Sequence, residues 1–263
     1  MCIIVCVKQV KNISFDSTTE VNTTYKKDNE LFNNPFDIAA LSWAMKLKAQ
    51  YGFEVVTISM GPSTAMPLVR QLFSYGVDRA ILLTSPGLSG SDTYATSYAI
   101  GNVVKILFPA HDLVICGSRS LDGETGQVPH SMAMELNVNS LANVSDISYH
   151  NRNFEIVCEM NSTRVKLTSE DKLLVTVERG PGGYVCLPTI KNIIDSKSKT
   201  VEVVTCDNLS LSTENVGQKG SYTKVISLHH KKTAPYRSAC KLHFREEQKK
   251  VNLLIESLIG DRS

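Results

Sequence analysis

One segment of the sequence combines the residue types that bind phosphate groups. Residues 117–128 read Gly-Ser-Arg-Ser-Leu-Asp-Gly-Glu-Thr-Gly-Gln-Val. Three glycines and several hydroxyl side chains precede a helix start here, and backbone N–H groups in such a loop can surround a phosphate. The segment matches neither the dinucleotide glycine fingerprint nor the P-loop pattern. Because glycine-bearing loops also occur simply to turn a chain, these residues alone leave nucleotide binding and a plain turn both open.

Single polar side chains in and near this segment have ordinary structural explanations beside functional ones. Arg119 could bind a phosphate or pair with a surface carboxylate, Asp122 could cap a helix, and His130 suits a surface position better than a proton donor. No serine lies in a nucleophile elbow, and no Cys/His spacing indicates a nucleophile with its base. The histidine pair at residues 229–230 is most simply solvated. We therefore predict no catalytic residue and no metal site.

Length, charge and cysteine usage limit the class of protein. A chain of 263 residues can form one large α/β domain, or a smaller domain with an extension. No apolar run approaches the roughly 18 residues that span a bilayer, and the first residues lack the features of a signal peptide, so we expect a cytoplasmic protein without membrane insertion. The seven scattered cysteines favour buried reduced thiols. A net charge of +2 is too small to indicate nucleic acid as a partner.

Apolar runs alternate with helical patterns over the first half of the chain. Four runs are short, rich in β-branched residues and apolar on both faces, as in strands buried on both sides: residues 2–7, 54–60, 79–84 and 112–116. This alternation predicts an α/β fold with a mostly parallel sheet, helices on both faces and a ligand site at the carboxyl ends of the strands. Four segments would meet at that edge: residues 6–8, 34–37, 60–62 and 117–128.

Three helices are predicted between these strands. Asn34 can cap the first, which has Pro35 in its first position, Asp37 in its first turn and Gly52 after its end. The others are predicted at residues 64–75 and from residue 91 onward. The third helix is expected to face the core with an apolar stripe of four residues: Ala95, Ala99, Val103 and Ile106.

The pattern changes after about residue 140. Three β-rich runs with short polar turns predict an antiparallel excursion: residues 144–149, 153–168 and 172–178. Residues 207–243 are polar without a sustained period, whereas residues 251–259 contain an apolar stripe at helical spacing. We therefore predict an α/β domain over residues 1–206 and a C-terminal arm, ending in a helix, over residues 207–263.

Six motifs, taken together and in order, resemble the β subunit of electron-transferring flavoproteins. They are residues 5–10 (Val-Cys-Val-Lys-Gln-Val), 34–37 (Asn-Pro-Phe-Asp), 59–62 (Ser-Met-Gly-Pro), 75–80 (Tyr-Gly-Val-Asp-Arg-Ala), 121–128 (Leu-Asp-Gly-Glu-Thr-Gly-Gln-Val) and 187–191 (Leu-Pro-Thr-Ile-Lys). Several ordered motifs at consistent spacing are far more specific than any one of them. One departure lies at residues 178–184, where Glu-Arg-Gly-Pro-Gly-Gly-Tyr replaces the family's Asn-Glu-Pro-Arg type of stretch.

The resemblance implies one α/β domain of the adenine-nucleotide-binding, HUP-like type, with a C-terminal arm that embraces an α subunit. In this family the α subunit carries the redox-active FAD. The β subunit's own pocket holds AMP in simple shuttling members and a second FAD in electron-bifurcating members. Residues 122–128 are more similar to the bifurcating type, which favours FAD over AMP here. NAD is a further candidate cofactor.

The resemblance also implies which residues line the pocket and which contact a partner. The predicted cofactor-binding residues are Cys6, Asn34, Asp37, Met60, Gly117, Arg119, Asp122, Gly123, Glu124, Thr125, Gly126, Gln127 and Val128. Leu187 aligns with an exposed leucine that enters a pocket on the partner dehydrogenase, and Pro188 and Ile190 lie beside it. Composition alone would instead favour a buried leucine at a strand end.

The predicted function is electron transfer through a heterodimer, between a flavin dehydrogenase of the acyl-CoA dehydrogenase class and NADH, ferredoxin or a quinone-linked acceptor. Electron bifurcation, which needs two flavins held close together, is the favoured form. The alternatives are a simple AMP-binding shuttle, a stand-alone adenine-nucleotide sensor of the same fold, and a structural subunit with an empty pocket.

Overall fold

The computed structural model describes residues 1–11, 31–161 and 163–224. Its strands are β1 (Cys2–Cys6), β2 (Gln9–Lys11), β3 (Leu31–Asn33), β4 (Glu54–Met60), β5 (Arg79–Leu83), β6 (Leu113–Gly117), β7 (Asn139–Leu141), β8 (Val144–His150), β9 (Asn153–Met160), β10 (Thr163–Ser169), β11 (Leu173–Val177) and β12 (Glu202–Val204). Its α-helices are α1 (Pro35–Tyr51), α2 (Met66–Gln71), α3 (Thr93–Leu107), α4 (Gln127–Leu136), α5 (Ile190–Ser196) and α6 (Gly217–Gly220). None of these helices has the length and apolar character of a membrane span.

The main sheet of the described part has seven strands in the order β12-β5-β4-β1-β6-β11-β7. Every neighbouring pair in it is parallel. Side chains of β1 alternate between two apolar clusters: Ile3 and Val5 lie in one with α1, and Ile4 lies in the other with α3 and α4. Such a strand is buried on both faces, as its apolar sequence predicts. The predicted mostly parallel sheet with helices on both faces is confirmed.

The prediction for the strand at residues 172–178 was wrong in one respect. β11 does not belong to the antiparallel excursion, because it pairs in parallel with both β6 and β7 inside the main sheet. All five of its residues are buried, which is typical of an interior strand rather than of a hairpin. The excursion therefore consists of β8, β9 and β10, and the run predicted at residues 153–168 is two strands, β9 and β10, that pair antiparallel.

The helix ends follow the predicted glycines, with one error in the inward stripe. Gly52 follows α1 in a left-handed conformation with φ of 73°. The helix predicted at residues 64–75 is an α-helix, α2, between two 3-10 helices, and Gly76 ends the second of these, Leu72–Tyr75, with φ of 97°. Asp92 caps α3 by accepting a hydrogen bond from the backbone N–H of Ala95. Ile106 is 47% exposed and does not face the core. The last three residues of α3, 105–107, are exposed, whereas Val104 is buried in the apolar cluster.

The chain after β12 contributes to the same apolar layer as α3. Leu209, Leu211 and Val216 are buried in that cluster, and the hydroxyl of Ser91 accepts a hydrogen bond from the backbone N–H of Gly217. The helix predicted around residues 251–259 lies outside the described residues. The arm and the domain boundary before residue 207 therefore stay predictions.

Candidate nucleotide site at the carboxyl edge of the sheet

The start of α1 lies directly against the ends of β1 and β6. The carboxylate of Asp37 accepts a hydrogen bond of 2.8 Å from the backbone N–H of Lys8, which follows β1. The backbone N–H of Asn34 donates to the carbonyl oxygen of Lys8 at 2.9 Å. On the other side, the side-chain amide of Asn34 donates to the carbonyl oxygen of Arg119, in the loop after β6, at 2.8 Å. The structure thus brings Asn34, Asp37 and the glycine-bearing loop together.

Asn34 does not cap α1 as the sequence predicts. It stands at the N-cap position, yet its side chain makes no capping hydrogen bond. Its amide nitrogen is used by Arg119, and its fully buried Oδ1 atom has no partner among the described residues. Because a buried acceptor without a partner is costly, this oxygen marks a position where a ligand donor or a water molecule would be stabilising.

The carboxyl group of Asp37 has an unusually high pKa. Burial raises its pKa to about 7, although hydrogen bonds from the backbone of Lys8, the side chain of Asn34 and the backbone of Gly117 lower it. The helix N-terminus also favours a negative charge at this position. Since the burial effect is the largest, the carboxyl group changes charge near neutral pH rather than near pH 4.

Gly117 permits the close contact between β6 and α1. A Cβ atom at this position would lie 2.7 Å from the backbone carbon of Phe36 and 2.8 Å from the nitrogen of Asp37, and it would also overlap the Asp37 carboxylate. Backbone atoms cannot move away cheaply, so a side chain here displaces the helix or the strand. The glycine is therefore required for packing, which the sequence had suggested only as part of a phosphate loop.

The loop after Gly117 folds back on itself and ends in α4. Glu124 and Gly126 have positive φ angles of 52° and 62°, and the backbone N–H of Glu124 donates to the carbonyl oxygen of Ser120. A Cβ atom on Gly126 would lie 2.9 Å from the carbonyl oxygen of Ser118. When residues just before a helix adopt a left-handed conformation, their successive N–H groups point toward one side. This is the geometry of an anion-binding concavity.

Most of the predicted loop residues are open to solvent. Asp122 does not cap α4, which begins five residues later at Gln127. Instead its carboxylate lies 2.7 Å from the ammonium group of Lys8. Burial would raise the pKa of Asp122, but hydrogen bonds from Lys8 and Ser120 outweigh it and lower the pKa. Gly123, Glu124 and Thr125 are exposed beside this ion pair.

The far end of the loop rests on the start of α3. The side-chain oxygens of Thr93 and Gln127 lie 3.3 Å apart, and the hydroxyl of Ser97 donates to the carbonyl oxygen of Val128. Two helix N-termini therefore lie side by side. Sequence reasoning missed Thr93, Ser97 and the role of Lys8; a hydroxyl residue in a helix's first turn and a lysine just after a strand were the signals available.

Cys6 and Met60 lie at the ends of adjacent strands. β1 and β4 pair with Cys6 opposite Ile58, so Met60 is two residues beyond that pair at the same edge. Both side chains are half-buried against the apolar cluster that contains α3 and α4. The Cys116 thiol hydrogen-bonds with Cys6 and is fully buried, and these effects raise its pKa well above the ordinary value.

Arg119 pairs with a surface carboxylate, which was the simpler of its two predicted roles. Its guanidinium lies 3.4 Å from the carboxylate of Glu178 and 4.7 Å above the ring centre of Phe36. His130 is an exposed residue whose Nδ1 atom lies 2.5 Å from the hydroxyl of Ser140. A surface or packing role for His130 agrees with these contacts.

The predicted docking residues lie on an exposed segment after β11. Leu187 is 77% exposed and Ile190 is 79% exposed, whereas Pro188 is partly covered. The alternative of a buried strand-end leucine is therefore wrong. Helix α5, which starts at Ile190, has no buried residue at all. An exposed apolar group of this kind is typical of an interaction surface.

Comparison with known proteins identifies the family of this chain. A family model described as "Electron transfer flavoprotein domain" matches residues 24–209. The electron transfer flavoprotein subunit beta of Thermoanaerobacterium thermosaccharolyticum is 30% identical over 86% of this chain and 87% of the relative. The chain belongs to the electron transfer flavoprotein β-subunit family. The resemblance found in the sequence motifs is confirmed.

Two further relatives match over almost their full length. The electron transfer flavoprotein subunit beta of Megasphaera elsdenii is 29% identical over 100% of this chain and 99% of the relative. The acryloyl-CoA reductase electron transfer subunit gamma of Anaerotignum propionicum is 26% identical over 98% of each protein. An electron transfer flavoprotein β subunit acts in electron transfer, in association with flavin and with an α subunit as its partner.

Proposed function

We propose that this chain is the β subunit of a heterodimer that holds an adenine nucleotide at the carboxyl edge of its sheet and passes electrons from one protein to another. The nucleotide is FAD, and the transfer is of the electron-bifurcating type. The observation that carries the proposal is a pair of buried oxygens where Asn34 meets the loop at residues 117–128: Asn34 Oδ1 and Ser118 Oγ have no partner among the described residues. A nucleotide offers donors and phosphate oxygens that would complement such groups.

The residues of the pocket fit the two ends of such a ligand. Backbone N–H groups of residues 124–128, with the N-terminus of α4, would hold phosphate oxygens, because positive φ angles at Glu124 and Gly126 turn the amides to one side. Thr125 is exposed in the same turn and would donate its hydroxyl. Cys6 and Met60 would border the ligand from the ends of β1 and β4. A bound flavin would supply reversible electron transfer, which no side chain of this chain can perform.

The partners follow from the family and from the exposed segment after β11. The redox-active FAD of the α subunit would exchange electrons with the pocket. Of the predicted arm at residues 207–263, the part after residue 224 would embrace that subunit, since Leu209, Leu211 and Val216 pack on this chain's own domain. A dehydrogenase of the acyl-CoA class would receive Leu187, Pro188 and Ile190. This choice is supported by the relative whose name includes acryloyl-CoA reductase. NADH or ferredoxin would be the other redox partner, in the cytoplasm.

Counting nucleotides on the co-purified heterodimer tests the function. Two FAD per heterodimer are expected for the bifurcating type, measured by absorbance after denaturation and by chromatography of the released nucleotides. One FAD with one AMP would instead establish the simple shuttle. A colourless single chain that binds ATP would overturn the proposal in favour of a nucleotide sensor, and a heterodimer with FAD in the α subunit alone would favour a structural role.

Removal of the C-terminal segment tests the predicted arm. A chain that ends at residue 224 is expected to be lost from pull-downs with a tagged α subunit, because the apolar stripe at residues 251–259 would no longer be available to bury. The measurement is the amount of β chain retained, with the complete chain as control. Equal retention of both chains would remove the arm from the proposed interface.

Leu187→Ala is expected to slow electron exchange with the partner dehydrogenase about tenfold, a loss typical of truncating one apolar anchor. Flavin content should not change, because Leu187 lies outside the nucleotide pocket. Stopped-flow flavin absorbance measures the rate. Met134→Ala is the control, since Met134 is 83% exposed on α4 but is not part of the docking segment. Equal rates for both variants and the unmodified protein would remove Leu187 from the docking surface.

A further inference from the structure

Arg119 joins the candidate nucleotide loop to the candidate docking segment. Its carbonyl oxygen accepts a hydrogen bond from the side chain of Asn34, which places its backbone beside the proposed pocket. Its guanidinium contacts Glu178 at 3.4 Å and stacks on Phe36 at 4.7 Å. Glu178 is the first residue after β11, and the exposed segment that ends at Leu187 begins there. Arg119 therefore belongs to the candidate nucleotide loop by its backbone, and its side chain contacts the start of α1 and the base of the docking segment.

Helix α1 holds the docking segment near both ends of that segment. The indole N–H of Trp43 donates to the carbonyl oxygen of Arg179 at 2.9 Å. Ser42 accepts a hydrogen bond of 2.8 Å from the backbone N–H of Cys186. Between these anchors the chain turns so tightly at Gly180 that a Cβ atom there would overlap the carbonyl of Tyr184. The base of the docking segment is thus packed on the helix whose first turn borders the pocket.

The two loops also begin from adjacent strands. β6 and β11 pair with Gly117 opposite Val177, and the backbone N–H of Ser118 donates to the carbonyl oxygen of Val177 at 2.8 Å. The nucleotide loop and the docking segment therefore leave the sheet side by side. This shared base fixes where the two loops start, and the contact of Arg119 with Glu178, beyond the base, is where one loop can act on the other.

We propose that Arg119 couples occupancy of the nucleotide pocket to the order of the docking segment, through its contacts with Glu178 and Phe36. This inference rests on the proposed function, since it requires a nucleotide at residues 117–128. A nucleotide that fixes the loop fixes the backbone of Arg119, and the ion pair then restrains Glu178 and Arg179. Coupling between two sites is reciprocal, so a bound dehydrogenase raises nucleotide affinity by the same factor.

Hydrogen exchange on the heterodimer tests the coupling. AMP and FAD are added separately to the heterodimer after its β-chain nucleotide has been removed, and the exchange of amides at residues 179–187 is measured by mass spectrometry. In the unmodified protein the bound nucleotide should slow this exchange about fivefold, the lower range of typical coupling between sites. In Glu178→Gln, which removes the charge that Arg119 pairs with, the nucleotide should bind with little change in exchange.

Glu159→Gln is the matched control. It removes an exposed Arg–Glu pair of similar length, 3.3 Å to Arg164, on the antiparallel sheet, and it should behave as the unmodified protein. Binding of a nucleotide without slower exchange in the unmodified protein would overturn the coupling, and so would equal slowing in Glu178→Gln. Failure of both AMP and FAD to bind at all would overturn the proposed function instead, so the two failures are distinguishable.

Discussion

Gly117→Ala is expected to destabilise the chain by about 3 kcal/mol and to abolish retention of nucleotide. The new Cβ atom would lie within 2.8 Å of the Asp37 backbone nitrogen and overlap the Asp37 carboxylate. Its neighbours are mainly backbone atoms at the end of a buried strand and the start of a helix, so relief requires moving α1. A displaced α1 would also carry Asn34 out of the pocket.

Urea denaturation followed by fluorescence measures this effect. Trp43 is the chain's single tryptophan and is fully buried, so its emission reports the packing of α1. Gly87→Ala is the control, because a Cβ atom there would meet nothing within 4 Å. If Gly117→Ala unfolded at the same urea concentration as Gly87→Ala, the close contact between β6 and α1 would not exist as described.

Asp37→Asn is expected to change how stability depends on pH. The pKa of Asp37 rises from 3.8 in its ordinary state to about 7 in the fold. Between these values the folded chain keeps a proton that the unfolded chain has lost. The contribution to stability is therefore complete below about pH 4 and is lost as the pH rises through about 7. The asparagine side chain stays neutral, so the variant should gain roughly 2 kcal/mol relative to the unmodified protein between about pH 5 and pH 8.

The measurement is the free energy of unfolding in urea at several pH values, again from Trp43 fluorescence. Asp195→Asn is the control, since Asp195 is an exposed residue of α5. The free energy of unfolding of Asp195→Asn should depend on pH in the same way as that of the unmodified protein. A parallel curve for Asp37→Asn would show that the buried carboxyl is ionised throughout, stabilised by the N–H groups of Lys8 and Gly117 more strongly than burial opposes it.

The fold class and the family could be predicted because they depend on patterns that are short and repeated. Apolar runs such as residues 2–7 and 112–116 are buried strands whatever their neighbours, and Gly52 ends its helix through local backbone conformation alone. The placement of β11 was not predictable in this way. Its five buried residues suit either sheet, and only its pairing with β6 shows which sheet it joins.

The candidate site was predicted in its location but not in its contacts. Asn34 has the residue type and position of a helix cap, yet its amide binds Arg119, far along the chain. Leu187 is apolar like a core residue, yet it is exposed on a segment held by the hydrogen bond between Cys186 and Ser42. Both outcomes depend on atoms that the fold brings together from distant parts of the sequence.

The sequence by itself determined the alternation of strands and helices, the segments that meet at the carboxyl edge of the sheet, and membership in the electron transfer flavoprotein family. These follow from spacing, caps and motifs, whose physics is local. The tertiary structure alone decided that Gly117 serves close packing, that Asp37 is buried with a raised pKa, and that Arg119 touches both loops. Burial, electrostatic environment and long-range contacts are properties of the assembled fold, and no spacing along the chain encodes them directly.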